Sequence, residues 1–539
     1  MTKQISGDEA ILWGAKKANF GYISSYPDIM TKERLNKYYN IFSSQAPIIQ
    51  LNRNGRNAFE QAIGASLGGA KILIYLKAPD FISLIDTIIS ISLKSTKLGS
   101  FVIAIVDAPS RNDDYQMDPR KFFPLMNIPL LEPANPLEGF EMTYEAFSIS
   151  ECYQIPVALR LRTGFQAMDQ TIELNENNDD ENIKIDYNKT PHLELCDCNH
   201  DRKIQQISMI FEQSPFNKLI GNGDLRLIVS GYLYQKLRSV IGNSLDKRYL
   251  VLKLGTIYPL PEMMIKQLLR ESDSALILED GEPVIENEIH DIVNKYKLNT
   301  RIFANPKNHF SNLKEMKKWE LEEIINKYDP EYKSDAVFFP YKEKTSSLVN
   351  LPICAGCDFH KLFISLKDFI THLKRKKPLI IGDRGCPALL DEEPYNLLDI
   401  ANPPGSAIAI ATGMAKHKPN RKFIVVTDND SFFKDGINAF LAARQADVNV
   451  MIIILDKFGD EIVTCYKKTS DTNTFNSQQS SKLTLQQIIE SYSIRHVYSF
   501  EVEDFSDLKE TFYTAYEYKG MSVLIVKANC IIKNINYES

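Results

Sequence analysis

The chain has 539 residues, 44% hydrophobic and 24% charged, with 63 Lys and Arg against 69 Asp and Glu. A formal charge of −6 spread over both signs leaves no basic block for nucleic acid or an anionic membrane, and no run approaches the roughly 18 apolar residues that span a bilayer. Met1 to Lys16 lacks the basic start and apolar stretch of a signal peptide, so the expectation is a soluble cytoplasmic protein of about three domains at roughly 100 to 200 residues each.

The first region alternates helix and strand. "DEAILWGAKKAN" has helical spacing, "KILIYL" and "FVIAIVDA" are short β-branched runs, and "PLMNIPLLEP" and "YEAFSISECYQIPVALRLR" continue the pattern. Such alternation predicts a parallel sheet covered on both faces. Glu173 to Lys189, "ELNENNDDENIKIDYNK", is polar and acidic, as a connector would be, and closes a first domain over 1–190. A second α/β region, 200–340, starts near "LRLIVSG" and runs through "YLVLKLGTIYPLPEMMIKQLL" and "SALILEDGEPVIENEIHDIV". A third, 350–535, ends with "MSVLIVKANC" and contains a polar low-complexity stretch, Lys467 to Lys482, where an α/β sheet places a site-covering loop. The fold class expected is α/β, three domains with mainly parallel sheets.

Eight cysteines in so long a chain do not make a disulfide scaffold. Cys196 and Cys198 lie in "LELCDCNH", and Cys354 and Cys357 lie in "ICAGCDFH" with His360 behind them. A zinc site normally takes four ligands, so one CxxC with a His is a weak metal signal and the thiols read first as structural. No four-cysteine ferredoxin-type run occurs.

"GDEAILWGA", "AFEQAIGASLGGAKILIYLK", "IPLLEPANPLEGFEMTYEAF", "IPVALRLRT", "LKLGTIYPLP", "EDGEPVIENEI", "CAGC", "GDRGC" and "FFKDGI" follow one another along the chain. In that order they resemble the α subunit of indolepyruvate ferredoxin oxidoreductase, a thiamine-diphosphate-dependent 2-oxoacid:ferredoxin oxidoreductase. The resemblance implies a transketolase-like fold with a pyrimidine-binding domain, a middle domain like the transketolase C-terminal domain, and a diphosphate-binding domain. It also implies a homodimer, often joined by a smaller β-type subunit. The family oxidatively decarboxylates aryl 2-oxoacids to acyl-CoA and sends electrons through iron–sulfur clusters in a C-terminal extension. With "NINYES" as the last residues, the expectation is no iron–sulfur cluster on this chain.

Carried over residue by residue, the family's chemistry meets substitutions. The carboxylate that sets the cofactor's imino tautomer belongs after an Asn. Here Asn54 is kept and Gly55 stands in the Glu position, while Glu60 corresponds to an acidic residue the family also carries on the helix. Magnesium prefers oxygen ligands, but ungapped alignment through "FFKDGI" puts Asp428 where a Gly belongs, Asn429 where the ligand Asp belongs, and Lys457 where the ligand Asn belongs. An ammonium has donors only. A one-residue slip would restore Asp430 as a ligand. Ala78 replaces the His of the family's "MKH" turn, Phe359 falls on a later His that His360 could approximate, and "DIMTKE" replaces "GTPSSE". Gly64, Gly255, Pro259, Gly281, Gly382 and Gly436, which keep the fold, remain.

The vestigial cleft therefore comprises Asp383, Asp428, Asn429, Asp430, Lys434, Lys457 and His360. Lys434 and Lys457 together could hold an anion without metal at a helix N-terminus. Alternatively, Lys434 is solvated and Lys457 pairs with Asp428 or Asp430. Asp428 and Asp430 read either as acid/base carboxylates or as polar turn residues, and Cys386 of "GDRGCPALL" reads as a packing residue. Three functions stay open: a non-catalytic structural, regulatory or anion-binding relative without cofactor; a living thiamine-diphosphate and magnesium enzyme with displaced ligands and clusters on a partner; or a scaffold for an unrelated partner.

Overall fold

Short β-branched strands stopped by Gly, Pro or Asp set the architecture. The computed structural model describes residues 2–26, 29–30, 32–42, 47–52, 54–93, 99–108, 117–174, 200–242, 245–304, 315–332, 356–373, 377–457, 484–502 and 508–528. Two compact units, Met1–Tyr341 and Lys342–Ser539, divide the chain.

In the first unit a seven-stranded sheet runs Thr256–Tyr258, Leu130–Leu131, Val157–Arg162, Phe101–Asp107, Ile72–Lys77, Tyr22–Ser25, Ile48–Leu51. Its strands are parallel except for Thr256–Tyr258. That strand follows directly on the second sheet and returns the chain to the edge of the first. The second sheet has five strands in the order Arg301–Phe303, Ser274–Leu278, Leu225–Ser230, Tyr249–Leu254, Lys218–Ile220, with only the last antiparallel. Thr2–Ser6 and Asp169–Glu173 form a separate antiparallel ribbon.

The second unit is built on six parallel strands, in the order Ile400–Asn402, Leu379–Asp383, Phe423–Asp428, Val450–Asp456, Ser522–Lys527, His496–Glu501. Every residue of Val450–Asp456 is buried, as a central strand covered on both faces requires. One face packs on Phe363, Phe369 and Phe512, the other on Phe432, Phe440 and the Ala-rich helix Ala407–His417. The α/β class with mainly parallel sheets is thus the observed one. Among the described residues no helix is long and apolar enough to cross a membrane.

Candidate functional site

Parallel sheets gather ligands at the carboxyl ends of their strands. In the second unit three neighbouring strands all end there in an acid: Asp383, Asp428 and Asp456. Asp383 accepts from Thr427 Oγ1 at 2.6 Å and from the Ala407 amide at 3.0 Å. Burial pushes its carboxyl up to about 6 in spite of those bonds. Asp428 caps the following turn by accepting the Ser431 amide at 2.8 Å. Asn429 is buried, donates to Asp456 Oδ1 at 3.3 Å, and has an Oδ1 with no hydrogen-bond partner among the described residues.

Lys457, the first residue past Val450–Asp456, turns back into this acidic rim. Its Nζ lies 2.7 Å from Asp428 and 3.2 Å from Asp430. Burial alone would pull the ammonium's pKa down, but the two aspartates outweigh burial and hold it well above the usual lysine value. The side chain is 10% exposed, Asp428 is 4% and Asp430 45%, so the inner pair is buried and the outer one half-solvated. The Ser431 amide, which an anion at this helix start would seek, is already taken by Asp428.

The remaining cleft residues sit in other settings. His360 Nδ1 meets the Tyr395 hydroxyl, with the rings edge-on at 5.7 Å. Lys434 is half-buried in the wide turn Phe432–Gly436. Cys386 is half-buried, packs on the core, and is near enough to Lys457 to act on its charge. Cys357 packs on the same core. Cys354, Cys196, Cys198, the connector beyond Leu174 and the stretch 467–482 lie outside the described residues. Among the described residues no group of three or more His, Cys, Asp or Glu is arranged to hold a metal ion.

In the first unit Asn54 caps the helix Gly55–Leu67 by accepting the Asn57 amide at 2.8 Å. Gly55 is the buried first residue of that helix. Glu60 pairs with Arg56 at 3.0 Å on the exposed face, a solvated helix residue. Ala78 is buried at the start of the short helix Ala78–Ser83. Sequence reasoning passed over Asp80 on that helix. Its carboxylate is buried and accepts from the Tyr26 hydroxyl, yet "KAPDF" reads as an ordinary helix start, and only proximity to Gly55 marks it.

In the second unit an ammonium thus stands among carboxylate oxygens, and it has donors only; in the first, Gly55 carries no side chain.

Comparison with known proteins finds a matching family model and relatives along the chain. Residues 385–526 match the family described as thiamine pyrophosphate enzyme, C-terminal TPP binding domain. Along 98% of its length the chain is 24% identical to the indolepyruvate oxidoreductase subunit IorA of Pyrococcus abyssi, covering 86% of that protein. It is 22% identical to the IorA subunit of Methanothermobacter thermautotrophicus over 98% of this chain and 87% of that one. Among solved structures, 2-oxoglutarate:ferredoxin oxidoreductase from Magnetococcus marinus aligns with 61% of this chain and 65% of its own, at 11% identity and a TM-score of 0.45.

Proposed function

We propose that this chain, a relative of the indolepyruvate oxidoreductase IorA subunits along 98% of its length, is a non-catalytic member of that family. It retains the thiamine-diphosphate fold and serves a structural or regulatory role as a subunit. One observation carries the reading: the Lys457 ammonium, at the position where the resemblance expects a magnesium-ligating Asn, is 2.7 Å from Asp428. A dication and an ammonium cannot share that place. The strand ends around it, Asp383, Asp428 and Asp456 with Asp430 beside them, carry more negative charge than Lys457 neutralises. A diphosphate would be repelled there, so the structural form of the reading is favoured over the anion-binding one. The relatives are named as subunits, which supports a partner chain. A homodimer of this chain, with or without a smaller β-type subunit, is the assembly we propose.

The test is calorimetric titration of the purified chain with thiamine diphosphate and magnesium, paired with thermal unfolding. A cofactor present at about 100 times its dissociation constant stabilises the folded state by about 2.7 kcal/mol, which a melting curve detects. The expected result is neither saturable heat nor a raised Tm. Saturable, magnesium-dependent binding would overturn the reading and return a living 2-oxoacid oxidoreductase subunit, to be assayed with aryl 2-oxoacids.

A further inference from the structure

Gly55 is not glycine for the sake of its backbone. It occupies the first turn of a right-handed helix, where any residue fits conformationally and alanine is the better helix former. What it lacks is room. A Cβ at position 55 would lie 3.0 Å from the Asp80 Cβ, 3.3 Å from its Cγ and 3.4 Å from a Tyr26 ring carbon. Asp80 cannot easily yield. It is 5% exposed, its carboxylate accepts from the Tyr26 hydroxyl, and that hydroxyl accepts the Lys77 amide at 2.9 Å. The Ser83 hydroxyl in turn donates to the Asp80 carbonyl at 2.7 Å. Backbone and side chain of Asp80 are both pinned on the far side of the gap.

We propose that Gly55 and Asp80 form one exchange. A carboxylate from the helix Ala78–Ser83 fills the volume into which a side chain at 55 would grow, and Asp80 is the residue that excludes a glutamate there. This deepens the non-catalytic reading and rests on it for what a Glu at 55 would have done; the steric exchange itself stands on the contacts above. It has a consequence for reversion. A glutamate restored at 55 would bring a second carboxylate against a buried one, and like charges at that distance disfavour each other. Gly55→Glu alone therefore cannot rebuild the site.

The experiment is a double-mutant cycle of Gly55→Ala and Asp80→Ala, followed by thermal and urea unfolding without cofactor. In the wild-type background Gly55→Ala should lower Tm, against the ordinary helix preference for alanine. In the Asp80→Ala background the same change should cost less, because the Cγ contact at 3.3 Å is gone while the Cβ contact at 3.0 Å stays. Asp80→Ala also frees the Tyr26 hydroxyl, a cost that cancels in the cycle. Gly55→Ala stabilising both backgrounds, or costing the same in both, would overturn the exchange. Gly55→Glu/Asp80→Ala is then titrated with thiamine diphosphate and magnesium as a separate readout. No binding is expected while Lys457 remains, and binding would refute the non-catalytic reading while leaving the exchange intact.

Discussion

Lys457 and Asp383 show how much one buried charge can decide. Lys457→Met leaves Asp428 buried without its counter-charge, a change that costs about 3 to 5 kcal/mol in buried pairs. Asp428→Asn with Lys457→Met should cost markedly less, since an Asn still accepts the Ser431 amide and the one carboxylate that loses Lys457, Asp430, is half-solvated. Urea unfolding of the single and double variants at neutral pH checks both. The folded ammonium's pKa is raised, so the pair's contribution is complete below the unfolded lysine value of roughly 10.4 and is lost only as pH climbs through the folded one. Asp383 works with the opposite sign. Its folded value of about 6 lies above the ordinary carboxylate value, so the folded state binds the proton more tightly. Stability therefore falls as pH rises from about 4 to about 6, by about 2 to 3 kcal/mol, and stays flat above. Asp383→Asn removes that slope, and the difference between the Tm–pH curves of wild type and variant over this range isolates it.

Helix starts explain what several shared motifs are for. The helix Val284–Tyr296 has no capping side chain at Pro283. Instead Glu279, at the end of the preceding strand, accepts the amides of Val284, Ile285 and Glu286 at 3.2, 3.0 and 2.9 Å and receives Arg120 Nη1 at 2.7 Å. Gly281 between them has φ +104°, and a Cβ on it would fall 2.4 Å from Asp118 Oδ2. Glu279→Ala strands those amides and Arg120 together, so a loss of about 3 kcal/mol is expected. Faster amide exchange at the first turn of this helix than in Gly55–Leu67 would locate it. The element pattern itself was legible: "KILIYL" and "FVIAIVDA" are strands because β-branched runs bounded by turn residues have few other homes. The substitutions at Gly55 and Lys457 were legible as departures from the motif pattern the chain resembles. Their replacements were only partly so. Lys457 had Asp428 and Asp430 within plain sight as partners, and the sheet, by setting two strand ends side by side, decides that it reaches both. Asp80 could not be read, because its meaning depends on a contact between two helix starts 25 residues apart, and periodicity carries no such information. The partnership of Glu279 with Arg120, 159 residues away in sequence, was hidden for the same reason.

At the scale of the first unit, the two large sheets are joined by buried charge rather than by apolar packing alone. Arg120, Arg160 and Arg162 are all at most 2% exposed. Arg160 Nε meets Asp107 at 2.6 Å, its Nη1 meets Glu132 at 3.3 Å, and its Nη2 donates to the Asp280 carbonyl at 3.2 Å. Arg120 reaches the same second sheet through Glu279 and the Asp280 carbonyl. The buried Lys253–Glu138 pair and the returning strand Thr256–Tyr258 add further ties. Despite burial, Arg120 and Arg160 hold Asp118 well below the usual carboxylate range, so its contribution is present above the ordinary carboxylate value and is lost as pH falls toward its folded one. Such a network is costly to break at one member, because each partner left behind is a buried charge. Arg160→Met takes the ion pair from Glu132 and leaves Asp107 with Arg162 on the first sheet, and leaves the Asp280 carbonyl of the second to Arg120. If these contacts make Met1–Tyr341 cooperative, wild-type strands Leu225–Ser230 and Ile72–Lys77 exchange their amides with one common opening free energy. In Arg160→Met the two sets separate, and Leu225–Ser230 opens first because it belongs to the smaller sheet. Equal protection of both sets in the variant would mean that apolar contacts and the strand Thr256–Tyr258 suffice to couple the sheets, leaving the arginines with a local role.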